Sequence, residues 1–389
     1  MALLPAVRAS PLRLTVTRSL RIATIAGDGI GPEVVRAALP VLERAATLDG
    51  ARIAWEHLPL GAEHYLATGE TLPQATFDHL RDDVDATFLG ALGDPRVPGN
   101  EHARDILLGL RFRLDLYVNF RPVRLYHPDL TPLGRLGGGA VERLERGEQP
   151  LNRSTTQPFI DFVIFRENTE GSYLARGTSA AVGTPDEEQI SHEVHTAPKV
   201  TRIIRAAFEW AKGHGRTLVT MSDKANAIPA HGLWQRLFKQ VGQEYPGIER
   251  EHRYVDALAM EFVRSPERFQ VVVTNNLYGD ILSDLGAGLV GGLGLAASAN
   301  LHPGRLPGLF EPVHGSAPNI AGKGIANPMA ACLTGALMFE HLGLPRAAMA
   351  LEGAVRGALE RGIRTPDLGG TATTAAAAAA VAEALDMVG

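Results

Sequence analysis

Short apolar segments ending in glycine or polar turns alternate with helix-patterned segments along most of this chain. That alternation is the strongest constraint on its fold. The stretch RIATIAGDGIGPEVV starts as a strand, passes a tight glycine turn and enters a helix with Pro32 at its first position and Glu33 beside it. VDATFLGALG, at 84–93, repeats strand and glycine turn. An arginine-rich helix is expected over ARDILLGLRFRLDLYVNFRPVRL, with an extended run beyond Tyr117 as the alternative. FIDFVIFRENTEG reads as strand then loop, TRIIRAAFEWAKGHG as a helix stopped by glycine, and RTLVTMSDKAN as strand then loop. GLWQRLFKQVGQEYPG reads as a helix and RFQVVVTNN as a short apolar strand. Such alternation argues an α/β protein. GDGIGPE falls short of the dinucleotide fingerprint, because the third glycine position holds Pro32.

A length of 389 residues suits two domains. Two stretches read as surface excursions, 134–157 and 176–190, while TATTAAAAAAVAEAL near the end reads as a packed alanine-rich helix. The net charge is −5, with no basic excess interleaved with aromatics, so nucleic acid is not an expected partner. No apolar run reaches the length of a membrane span, and no membrane partner is expected. The single cysteine, Cys332, lies in an apolar run and is expected as a buried thiol. Residues 1–20 contain three arginines and no acid. They read as a flexible leader on a cytoplasmic protein, with organelle targeting as the alternative.

Three charged sets carry chemistry. Asp280 and Asp284 stand four apart in NNLYGDILSDLGAG, where like charges cost a helix about 0.2–0.5 kcal/mol. Either that face is solvated or something positive sits between them. With Asp256 they form an oxygen-only set suited to Mg2+ or Mn2+. Arg111, Arg121 and Arg166 are planar forks that could grip a small di- or tricarboxylate or pair with those aspartates. Lys224 in SDKAN and Tyr173 in GSYLARG could exchange protons. FEPVHGSAPNIAGKGIANP (310–328), punctuated by glycine and proline, could wrap a nucleotide. No phosphate-cradling Walker loop is present, which weighs against a phosphotransferase.

These pieces occur together, from about Arg21 to the C-terminus, in one family. GDGIGPEV, YVNFRPVRL, RENTEG, SDKAN, YVDALAM, NNLYGDILSDL and FEPVHGSAPNIAGKGIANP resemble the metal-dependent β-decarboxylating dehydrogenases. That family includes isopropylmalate, isocitrate, homoisocitrate and tartrate/D-malate dehydrogenases. The resemblance implies its two-domain α/β fold, distinct from a Rossmann fold, with the active site in the interdomain cleft. A larger cofactor-binding domain would comprise 21–116 and 291–389, and a smaller domain with the dimer interface 117–290. Asp280 and Asp284 would hold the divalent cation, and Asp256 and Lys224 would come from the other subunit of a homodimer with shared active sites. Arg111, Arg121 and Arg166 would clamp the carboxylates, Lys224 would act as base and Tyr173 as general acid. His314, Gly315, Ser316, Ala317, Asn319, Ile320 and Asn327 would bind the cofactor.

The implied reaction is NAD(P)-dependent oxidative decarboxylation of an (R)-malate-type 2-hydroxy acid, 3-substituted or not. NAD-dependent members usually carry Asp where this chain has Asn319, and NADP-dependent members often show Lys–Tyr in place of Asn319–Ile320. NAD is therefore expected, with NADP as the alternative. Leu107 and Leu108 look like the apolar wall for an isopropyl group, whereas Arg104, one helical turn below, could meet an anionic substituent. YVNFRPVRL is most similar to the tartrate/D-malate branch, and isopropylmalate dehydrogenase proper is an alternative. A non-catalytic regulatory subunit is a further alternative, disfavoured because Lys224, Tyr173 and the three aspartates are all present.

Overall fold

The computed structural model describes residues 18–135 and 159–388. Its strands are β1 (Arg18–Gly27), β2 (Ala51–His57), β3 (Ala86–Ala91), β4 (Val118–Arg124), β5 (Asp161–Glu167), β6 (Gly177–Ala180), β7 (Glu188–Ser191), β8 (Leu218–Asp223), β9 (Glu249–Tyr254), β10 (Val271–Thr274), β11 (Ala297–Leu301) and β12 (Gly308–Pro312). Its helices are α1 (Gly31–Ala46), α2 (Ala62–Thr68), α3 (Gln74–Asp82), α4 (Glu101–Arg113), α5 (Pro132–Arg135), α6 (Ala197–Gly213), α7 (Gly232–Gly242), α8 (Val255–Arg264), α9 (Asn276–Leu289), α10 (Met329–His341), α11 (Pro345–Glu360) and α12 (Thr374–Val388).

Ten strands form one sheet in the order β2-β1-β3-β12-β11-β4-β5-β10-β8-β9. Pairing is parallel on both flanks and antiparallel at the centre, where β11 pairs with β12 and β4, and β4 with β5. The fold is mixed α/β, and its antiparallel centre separates it from a doubly wound dinucleotide sheet.

Helices cover both faces of the sheet. α10 is buried nearly all round and carries Cys332, which is fully buried. The alanine-rich tail is a helix: Ala377, Ala380, Val381, Ala384 and Leu385 recur at helical spacing and pack with α11 and α1. No helix among the described residues is long and apolar enough to cross a membrane.

Two expectations change, and one surface excursion takes a regular form. The arginine-rich helix stops at Arg113, Asp115 turns the chain with φ of 52°, and the rest becomes β4. Pairing with β5 and β11 on both edges overrides the helical pattern there. Residues 18–20 of the expected leader open β1, where Arg18 pairs with Ala51 and Leu20 is buried; residues 1–17 lie outside the described residues. The excursion 176–190 is largely the hairpin β6–β7, exposed along both strands. The excursion 134–157, beyond its first two residues, lies outside the described residues.

Candidate active site

α4 presents Arg104, Leu107 and Arg111 on one face, at i, i+3 and i+7. β4 contributes Arg121 and β5 contributes Arg166. Arg166 pairs with Asn119, two residues from Arg121, so the two guanidinium stems leave the same face of the sheet. After β5 the chain turns at Gly171 (φ 85°) and carries Tyr173. α9 crosses behind. Gly279 lets it approach, since a Cβ there would meet Arg166 Cγ at 2.5 Å. These elements wall a cleft of about 500 Å3 that also touches Leu108, Asp280, His314 and Gly315.

The cleft floor is positive, and its arginines are shielded from solvent. Arg111, Arg121 and Arg166 are all buried. Arg166 Nη1 donates to Asp280 Oδ1 at 2.5 Å and its Nε to Asn276 Oδ1 at 2.9 Å. Arg121 Nη1 donates to Ser283 Oγ at 2.6 Å and lies 3.1 Å from Asp280 and 3.5 Å from Asp284. Arg111 Nη2 donates to Glu311 Oε1 at 2.6 Å. The Nε groups of Arg111 and Arg121 are buried without a hydrogen-bond partner among the described residues. Burial, reinforced by the Arg121 charge, pulls the Arg166 guanidinium below its ordinary range. A dianion entering this cleft would relieve the crowded positive charge of the three guanidinium groups.

The paired aspartates differ. Burial opposes the charged form of Asp280, but Arg166 and Arg121 outweigh it and hold the carboxyl below its usual range. Burial lifts Asp284, with Arg121 opposing and the Asp280 charge adding to the rise. Two carboxylates one turn apart, the second raised by burial and 3.5 Å from Arg121 Nη1, are a donor set that a hard divalent cation would complete. The site residues therefore fit Mg2+ or Mn2+. Tyr173 donates to Asp280 Oδ2 at 2.6 Å, and burial together with that carboxylate raises its phenol.

Lys224 and Asp256 lie elsewhere. Lys224 Nζ donates to Asp256 Oδ1 at 2.6 Å, and neither lines the cleft of its own chain. Asp256, at the start of α8, does not join Asp280 and Asp284 in one ligand cluster among the described residues.

The loop expected to hold the cofactor folds over the GDGIG turn: Ile30 N donates to Ser316 O at 2.8 Å, and a Cβ on Gly29 would meet that same oxygen at 2.0 Å. Ala317 sits in the left-handed region at φ 41°, and Asn327 is buried against Asp367. Asn319 is exposed, with half-buried Ile320 beside it. His314 Nε2 is buried and unpartnered at the cleft wall, and burial lowers the ring's basicity. An unpartnered ring nitrogen on His314 and an exposed amide on Asn319 are groups of this loop that could hold a dinucleotide.

Some contributors escaped the sequence reading. Glu311, beside His314 in the same motif, anchors Arg111. Asn276 and Ser283, interleaved with the aspartates on α9, orient Arg166 and Arg121. Asp28 in the glycine turn accepts from Ala62 N, Gly93 N and His102. All four lie inside quoted motifs, which is the one signal that could have found them.

A profile described as isocitrate/isopropylmalate dehydrogenase matches residues 21–385. The chain belongs to the isocitrate/isopropylmalate dehydrogenase family.

It is 45% identical over 340 residues to a 3-isopropylmalate dehydrogenase of Thermobifida fusca, covering 87% of this chain and 90% of that one. It is 44% identical over 350 residues to the enzyme of the same name from Beutenbergia cavernae, covering 89% and 94%. Among solved structures, isocitrate dehydrogenase from Methylococcus capsulatus superposes with a TM-score of 0.81 at 39% identity, covering 94% of this chain and 99% of that one. As a member of this family, the protein is a decarboxylating dehydrogenase acting on a CH–OH group.

Proposed function

We propose that the protein oxidises and decarboxylates a 3-substituted (R)-malate with NAD, and that the substituent is apolar and branched. The observation that carries this reading is the single cleft in which three buried arginines and Tyr173 face Leu107 and Leu108. That wall suits an alkyl group, and relatives named 3-isopropylmalate dehydrogenase support it.

When bound, a divalent cation supplies Lewis acidity to the substrate's hydroxyl and carbonyl oxygens, and the nicotinamide accepts hydride. The chain's own groups do the rest. Arg111, Arg121 and Arg166 orient the two carboxylates so that the 3-carboxylate is held for loss as CO2. Lys224 takes the proton of the 2-hydroxyl. Tyr173, kept neutral by its contact with Asp280, returns a proton to carbon 3 of the enol left by CO2 loss. Asp280 and Asp284 would hold the cation, with Asp256 reaching it from a second protomer.

The shared site is supported by an apolar surface. Met260 and Val263 on α8, and Leu277 and Ile281 on α9, are exposed around Asp256 and Asp280 in the single chain. Packing these faces together in a homodimer would bury them and bring Lys224 and Asp256 to the partner's cleft.

A second reading takes an anionic substituent, because Arg104 also lines the cleft beside the leucines. Its nearest acid is the neighbouring Asp105, 3.4 Å away on the exposed surface.

The test measures reduced nicotinamide formation with NAD, Mn2+ and a panel of D-malate, tartrate, isopropylmalate, isocitrate, homoisocitrate and a phosphonomethyl analogue. Fastest turnover of isopropylmalate, abolished by chelator, is expected. A preference for an anionic substituent that Arg104→Ala removes would favour the second reading, and silence across the panel would end both.

A further inference from the structure

Glu193, His195 and His231 form a cluster of metal-ligating composition among the described residues, outside the cleft already described. His231 is fully buried, and Glu193 is partly buried. The hydrogen bonds assign the cluster a different task. The backbone N–H of Lys224 points at His231 Nδ1, 3.1 Å away. An amide N–H only donates, so Nδ1 presents its lone pair and the neutral ring carries its proton on Nε2. That proton faces Glu193 Oε2 at 3.1 Å. The nitrogen that a cation would need is therefore already a donor.

We infer that His231 and Glu193 are positioning residues that fix the Lys224 loop, and that Glu193 locks this loop to the helix bearing Asp280. The inference rests on the assignment of Lys224 as the base. The other Glu193 oxygen accepts from Asn275 Nδ2 at 3.3 Å. Asn275 is the N-cap of α9, its Oδ1 accepting from Tyr278 N at 2.9 Å. The segment holding Glu193 is itself fastened to the Tyr173 turn. Gly171 N donates to Val194 O at 2.9 Å, and Thr196 donates twice to the Glu170 carboxylate at 2.7 and 2.8 Å. Glu193 thus joins three pieces: the base loop after β8, the cap of the aspartate helix and the turn of the general acid. His195 lies 3.1 Å from Glu193 on its other side, and the two imidazoles hold that carboxyl at about 2, so it is charged at any working pH.

A loop fixed through its backbone leaves the Lys224 side chain free to move while its root does not. Losing the anchor should slow the proton step without loosening substrate, which is held by the arginines of the cleft. His231→Leu is expected to lower kcat by about 10–100-fold while KM changes by less than about threefold. His231→Asn keeps an acceptor where Nδ1 stood and should recover kcat to within about fivefold of wild type. Glu193→Gln, which retains the shape and an acceptor for Nε2–H, should keep the fold and lower kcat by about 3–10-fold. Equal losses in the Leu and Asn variants, or a KM that rises in step with the fall in kcat, would overturn the inference. Lys224→Met separates it from the base assignment. Retained turnover in Lys224→Met overturns both, whereas lost turnover there with unchanged kcat in His231→Leu overturns the anchor alone.

Discussion

Tyr173 donates its phenolic proton to Asp280 across 2.6 Å, joining residues 107 positions apart in the chain. The contact binds the proposed proton donor to a carboxylate of the proposed cation site. Tyr173→Phe removes the proton but keeps the ring against Arg166, 5.2 Å from its guanidinium carbon. A fall in kcat of about 100-fold or more is expected, with KM for the hydroxy acid little changed. Steady-state formation of reduced nicotinamide measures it, and a 2-oxo acid released with its 3-carboxylate intact would place the block before CO2 loss and contradict the role assigned to Tyr173.

Gly279→Ala should harm substrate binding without removing a charged group. Its new Cβ would meet Arg166 Cγ at 2.5 Å and Cβ at 2.6 Å, and the Arg166 stem is too buried to yield. The guanidinium must shift, so KM should rise by about tenfold or more. Overpacking should also cost about 1–3 kcal/mol of stability, read by urea denaturation.

The glycine that permits this contact belongs to a quoted motif, and so do the arginines, Tyr173 and both aspartates; their chemistry was legible because the residue types are rare and ordered along the chain. Whether Arg121 pairs with Asp280 and Asp284 was left open by the sequence. It depends on β4, whose arginine-rich pattern reads as a helix until β5 and β11 flank it. Long-range pairs such as Asp28 with His102, 74 residues apart, leave no local spacing to read. The alanine tail was legible because its buried positions keep helical spacing, whereas the first strand begins inside what composition alone marks as a leader.

Leu107→Ala tests the apolar wall. Removing part of a branched-alkyl contact should lower kcat/KM for isopropylmalate by about 10–200-fold. D-malate, which does not reach the wall, should be affected far less, so the ratio of the two is the decisive reading.

Asp161 bridges Arg124 at 3.0 Å and Arg216 at 2.6 Å. Burial opposes its charge, but the two arginines prevail and hold its carboxyl below the ordinary range. A depressed folded-state carboxyl adds stability above its unfolded value and loses it as pH falls through the folded one. Asp161→Asn should therefore cost about 1–3 kcal/mol at neutral pH. The gap from wild type should close progressively below about pH 4, as followed by denaturation at stepped pH.

Cys332 is fully buried, and burial pushes its thiol up to about 12. A thiol reagent at mildly alkaline pH should leave the native protein unlabelled and modify the single cysteine only after denaturant is added.

The central claim is that one catalytic site draws Asp280 and Tyr173 from one protomer and Lys224 from another. Lys224→Met and Asp280→Asn chains, each inactive alone, can be co-expressed with different tags and refolded together. If sites are shared, half the dimers of a random mixture contain one intact site, and activity should return to about a quarter of wild type. A mixture that forms mixed dimers yet stays as inactive as either variant alone would contradict the account.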